Sequence, residues 1–180
     1  MKTRKHVVVF AVLVALIAAD GFAEEENTAQ GFSASYMLTD LADNFGIGLG
    51  VQSPLFFSFA AIRVDAFAFW LNAPESAELW YPFLVVRAGL AGYSFIKNQI
   101  IRLYGYGGAE FVFPTLWTDY IDTEQFRFGG FGGFGFEFFF MPHGCYYIEL
   151  GSTGSGAKTR FDTRLYRNGF EVLVGMRWYF

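Results

Sequence analysis

Cysteine and histidine are almost absent. The 180 residues contain one cysteine, Cys145, and two histidines, His6 and His143. One thiol can close no internal disulfide and cannot build a zinc site. Charge is scarce as well: Asp, Glu, Lys and Arg together make up 17%, with 13 bases against 17 acids and a formal net charge of −4. An acidic balance argues against nucleic acid as a partner, because a basic surface supplies most of that affinity. No stretch in the body of the chain reaches the ~18 apolar residues a spanning helix needs. Yet 53% of the residues are hydrophobic and 21% aromatic, a content that excludes an intrinsically disordered chain. So apolar a chain without a spanning helix needs another way to bury its surface.

Residues 1–23 have the tripartite pattern of a cleaved secretory signal peptide. Lys2, Arg4 and Lys5 form the charged start, an apolar run extends from Val7 to Ala19, and Gly21-Phe22-Ala23 precedes Glu24-Glu25-Glu26. No cysteine stands near the cleavage point, so the leader is not of the lipoprotein type. Loss of Lys2, Arg4, Lys5 and Asp20 with the leader shifts the net charge from −4 to −6. His6 leaves too, so His143 becomes the only imidazole, which weakens most hydrolase readings. Residues 24–30 are expected as a short periplasmic tail and 31–180 as a single folded domain.

From residue 31 the dominant signal has period two, the mark of strands with two chemically different faces. It predicts strands over 31–39, 45–53, 55–71, 80–92, 99–113, 126–140, 145–151 and 170–180. In 126–140 the even positions hold Phe126, Phe128, Phe134, Phe136, Phe138 and Phe140, and the odd ones Arg127, Gly129, Gly133, Gly135 and Glu137. In 55–71, Ile62, Val64, Ala66, Ala68 and Trp70 share one face, while Arg63, Asp65, Phe67 and Phe69 share the other. Connections after the second, fourth and sixth strands are short (Ser53-Pro54, 93–98, 141–144). Those after the third, fifth and seventh are longer (72–79, 114–125, 152–169). Short turns at one end and long loops at the other describe an all-β, eight-stranded antiparallel up-and-down transmembrane barrel with both termini in the periplasm. A sixteen-stranded porin would need more residues than the chain has.

The same alternation could build a soluble barrel turned inside out. Three features favour the membrane form. Beyond the leader the lysines are Lys97 and Lys158, both in connections, whereas a water-facing sheet carries many. The Phe-rich face is too bulky for the bore of an eight-stranded barrel, which side chains just fill. The chain also ends Gly175-Met176-Arg177-Trp178-Tyr179-Phe180, a last strand alternating to a terminal aromatic. That ending resembles the C-terminal signal of bacterial outer-membrane proteins, carried here by Gly175, Trp178 and Phe180, with Leu173 where the signal usually has a polar residue. Together with the architecture, it makes the chain resemble the small eight-stranded outer-membrane barrels typified by the OmpA membrane domain, OmpX and OmpW. The resemblance implies outer-membrane lipid and the barrel-assembly machinery as partners. Trp70 and Trp80 at one end, with Tyr146, Trp178 and Phe180 at the other, fit interfacial girdles.

With the Phe-rich face toward lipid, the interior receives five arginines and five carboxylates: Arg63, Arg87, Arg102, Arg127 and Arg177 with Asp65, Glu110, Glu137, Glu149 and Glu171. Buried charge is costly unless paired, and guanidinium suits bidentate pairing with carboxylate. The balance of sign favours a neutralised polar core over a selective channel, whose filter usually has one dominant sign. Gly130-Phe131-Gly132-Gly133-Phe134-Gly135 spells a dinucleotide loop, but Phe136-Glu137-Phe138-Phe139-Phe140 follows as a strand and not a helix, so no cofactor is expected. Lipid-remodelling enzymes of this architecture use histidine with Ser or an acid near the outer rim. His143 falls in a turn expected on the periplasmic side, so no catalytic or metal-binding residue is assigned. The first three outer loops hold Asp40, Asp43, Glu75, Glu78, Asp119, Asp122 and Glu124; the fourth is basic, with Lys158, Arg160, Arg164 and Arg167. Trp117 and Tyr120 in the third could serve a binding surface. The expectation is a monomeric, non-enzymatic surface barrel acting in membrane integrity or in contact with small-molecule or host ligands. The alternative is an OmpW-like narrow channel or transporter for small or hydrophobic molecules.

Overall fold

Side chains that alternate between apolar and polar along eight segments need two environments, and a closed sheet supplies both. The computed structural model describes residues 30–41, 44–72, 80–94, 100–114, 127–155 and 169–180. It forms β1 (Ser33–Leu41), β2 (Asn44–Gln52), β3 (Ala60–Asn72), β4 (Trp80–Tyr93), β5 (Ile101–Pro114), β6 (Arg127–Met141), β7 (Gly144–Ser155) and β8 (Gly169–Tyr179). Each strand pairs antiparallel with its neighbour in sequence, and β1 pairs with β8, so the sheet closes into an eight-stranded barrel. Strands of 9 to 15 residues suffice to cross a hydrocarbon core, which takes about 9–11 tilted residues. No helix among the described residues is long and apolar enough to cross a membrane.

Three boundaries differ from expectation. The third strand does not begin at Leu55: the chain from 53 to 59 makes a wider turn, with an isolated bridge between Phe56 and Ala60. Phe57 and Ser58 there have φ of 53° and 64°, which breaks the extended run that alternating apolar residues suggest. β7 continues through Ser152, Thr153, Gly154 and Ser155, because these pair with Gly132, Phe131, Gly130 and Gly129 of β6. Asp40, expected in a loop, lies on β1 with its side chain exposed.

Outward positions are largely apolar and open, with Leu49 66% exposed and Leu84, Leu90, Phe128 and Phe170 also exposed. Inward positions are buried and pack by size across neighbouring strands. Phe69 lies opposite Gly46 and Phe67 opposite Gly48; Tyr104 lies opposite Gly135; Tyr147 lies opposite Gly175. At Gly48 an added Cβ would come within 2.4 Å of the Phe67 ring. The inward glycines therefore make room for rings, a large-against-small fit typical of narrow barrels, while a recess of about 1000 Å³ lined by Gly108, Phe131, Thr153 and Ser155 stays open at the loop end. At Gly89 and its register partner Gly108, a Cβ would meet the facing backbone at 2.3 and 2.2 Å. The two strands approach so closely there that only glycine fits.

Candidate functional site: the ion-paired interior

Period two on every strand sends the predicted charges inward, and the register stacks them along the axis. Nine of the ten form three clusters. In the first, Arg63 Nε lies 2.6 Å from Asp65 Oδ2, and the Arg63 guanidinium pairs with Glu149. The Tyr104 hydroxyl donates to Glu149 Oε1 at 2.5 Å. In the second, Arg87 Nε donates to Glu110 Oε2 at 2.7 Å and its Nη1 to Glu171 Oε1 at 3.0 Å. Hydroxyls complete that cluster: Thr153 donates to Glu110 at 2.7 Å and Thr39 to Glu171 at 2.8 Å. In the third, Arg102 Nε donates to Glu137 Oε2 at 2.7 Å and Arg177 Nη1 donates to Glu137 Oε1. The Tyr179 hydroxyl also donates to Glu137 Oε1, at 2.8 Å, and receives Arg102 Nη2 at 2.5 Å.

The balance expected of the interior as a whole is therefore not local. Arg63 and Arg87 each meet two carboxylates, whereas Arg102 and Arg177 share one. Arg127 sits half-buried at the loop end of β6, beside Val112 of β5. Rings complete the packing of the guanidiniums. Arg102 lies 4.3 Å from the centroid of Tyr93 and 5.2 Å from that of Phe139. Arg177 lies 4.5 Å from that of Tyr147, and Arg87 lies 4.8 Å from that of Phe67. Such contacts stabilise a desolvated cation where water cannot.

Counting charges alone misses two parts of this interior. The first is the set of tyrosine and threonine hydroxyls at Tyr93, Tyr104, Tyr179, Thr39 and Thr153; all but Thr39 share the parity of a charged position on their own strand. The second is an apolar plug toward the loop end, in which Met37, Leu41, Phe67, Phe69, Phe83, Val85, Val112 and Leu173 are buried together. Phe69 and Phe83 stack there at 5.3 Å. The interior is thus not polar throughout, because the glycines of β2 leave volume that only rings fill.

Among the assembly-signal residues, Gly175 faces the Tyr147 ring from β8, while Trp178 and Phe180 are exposed on the outside. His143 is exposed in the turn between β6 and β7, and Cys145 is buried and free. Among the described residues no group of His, Cys, Asp and Glu is arranged to hold a metal. The leader, Asp43, Glu75, Glu78, Lys97, Trp117, Asp119, Tyr120, Asp122, Glu124 and the basic set Lys158, Arg160, Arg164 and Arg167 lie outside the described residues.

A closed eight-stranded antiparallel sheet, apolar outside and filled inside, is the architecture of the small outer-membrane β-barrels. Two solved structures share the fold. The fold is similar to the N-terminal β-barrel domain of OprF from Pseudomonas aeruginosa, at 10% identity over 84% of this chain and 98% of that one, with a TM-score of 0.60. It is similar also to a de novo designed transmembrane β-barrel, at 14% identity over 88% and 100% of the two chains, with a TM-score of 0.50. The attachment invasion locus protein Ail of Yersinia pestis matches at 13% identity over 84% and 99%, with a TM-score of 0.46. No protein-family model and no curated protein matches the sequence.

Proposed function

We propose that the protein is a non-enzymatic outer-membrane β-barrel whose interior is closed, and that it acts at the cell surface in membrane integrity or in contact with ligands or host. On this reading both termini are periplasmic and the connections at the far end face outward, the basic one carrying Lys158, Arg160, Arg164 and Arg167. The observation that carries it is the burial of the bore: three ion-paired clusters and the apolar plug from Met37 to Leu173 pack inside it. A wall that exposes Leu49, Leu84, Leu90, Phe128 and Phe170 suits lipid and not water. The catalytic alternative has one candidate imidazole, His143, exposed in a turn at the terminal end.

Single-channel recording of the purified protein in planar bilayers tests the closed interior. The expected trace is flat. Reproducible conductance that changes in Arg102→Ala or Glu110→Ala would overturn it in favour of a narrow channel. Lipid A composition is expected to be the same with and without the protein, and with His143→Ala.

A further inference from the structure

The connection between β2 and β3 holds a strained backbone in order to display apolar side chains. Among the described residues Phe57 and Ser58 are the non-glycine positions in the left-handed region, with φ of 53° and 64°. Hairpin turns that need this conformation ordinarily use Asn, Asp or Gly. The turn is well tied at its base. Phe56 N–H donates to Ala60 O at 2.8 Å, Leu55 N–H to Gln30 O at 2.9 Å and Tyr93 N–H to Phe59 O at 2.7 Å. The Leu55 side chain packs on the buried group of Ala61, Ala91, Tyr93 and Tyr104. The tip projects from this base. Phe57 is 81% exposed, Phe56 and Phe59 are exposed beside it, and the ring centroids lie 5.6 and 6.5 Å apart along the three. No charged residue occurs from 53 to 59.

The hydrogen bonds and Leu55 hold the base of the turn, and the rings of Phe56, Phe57 and Phe59 beyond it stay exposed. The apolar outer wall leads to the same place. Val51 of β2 and Ile62 of β3 flank the turn and are exposed, as are Phe32 and Phe180 at the same end, where Phe180 N–H donates to Phe32 O at 2.8 Å. One apolar surface runs from the wall onto the tip. Phenylalanine has no hydrogen-bonding group, so these rings suit hydrocarbon.

We propose that the 53–59 turn inserts Phe56, Phe57 and Phe59 into the lipid leaflet at the terminal end of the barrel and anchors that end in the membrane. The proposal rests on the outer-membrane reading above. Because Cys145 is buried, a thiol added at Ser58→Cys or at Leu49→Cys can be labelled alone with an environment-sensitive fluorophore. The labelled proteins are placed in phosphatidylcholine–phosphatidylethanolamine vesicles containing acyl-chain-brominated lipid, and heat-dependent gel mobility verifies folding. Both labels are expected to lose fluorescence to brominated lipid. In the Ser58→Cys background, Phe57→Ser with Phe59→Ser is expected to abolish that loss and expose the label to aqueous iodide; Phe59→Ser alone serves if the pair does not fold. A Ser58 label reached by iodide and not by brominated lipid, with the Leu49 label quenched, overturns the anchor alone and points to an aqueous partner or a second copy. If neither label is quenched by lipid, the membrane reading itself fails.

Discussion

Glu137 serves two guanidiniums, those of Arg102 and Arg177, whereas Arg63 and Arg87 each have two carboxylates. That asymmetry ranks the interior substitutions. Glu137→Gln leaves buried Arg177 and half-buried Arg102 without their shared counter-charge, and breaking a buried pair typically costs about 3–5 kcal/mol. Asp65→Asn leaves Arg63 bound to Glu149 and should cost less. Denaturant midpoints of the two variants in the same detergent measure the difference, and a larger loss for Asp65→Asn would contradict the cluster assignment. Which residues point inward was legible from parity: Arg63, Asp65, Arg87, Glu110, Glu137, Glu149, Glu171 and Arg177 are all buried. Their partners were not legible, because pairing depends on which strands face each other across the bore and on register along the axis.

At the scale of strands, the alternation of glycine with rings is a packing code between neighbours. Gly48→Ala would drive a methyl into the Phe67 ring, 2.4 Å away, and overpacking of this kind costs about 1–3 kcal/mol. Phe67→Leu in the same chain should recover part of it. Gly92→Ala is the control, since nothing lies within 4 Å of its added carbon, and its unfolding midpoint should barely move. Ser58→Gly should raise the unfolding free energy by about 1 kcal/mol, because glycine adopts the left-handed conformation without the clash that Cβ makes. Most strand limits were readable from period two to within a few residues. The 53–59 turn was not, because Phe56-Phe57-Ser58-Phe59 carries no Gly, Asn or Asp for the left-handed positions and reads as more strand. The apolar plug was missed for a related reason: Phe67 and Phe69 have the parity of Arg63 and Asp65, and counting charges hid what the rings fill.

At the scale of the whole molecule, the closed bore depends on the plug as much as on the ion pairs. Phe69→Ala with Phe83→Ala removes a stacked pair from the loop end, and each truncation costs about 3–5 kcal/mol. If the variant still folds, planar-bilayer recording should show leak currents absent from the parent; a silent variant would mean that the charge clusters seal the bore unaided. The pairing of β1 with β8, from Ser33 opposite Tyr179 to Leu41 opposite Glu171, has a separate consequence, for the order of events in time. The two strands that form this seam are the farthest apart in the chain, so a partly assembled sheet has two bare edges until they meet. In hydrocarbon each bare amide or carbonyl costs several kcal/mol, so a half-built wall cannot persist there. Closure then works as a latch: pairing of β1 with β8 removes both bare edges together, and opening the seam would expose them again.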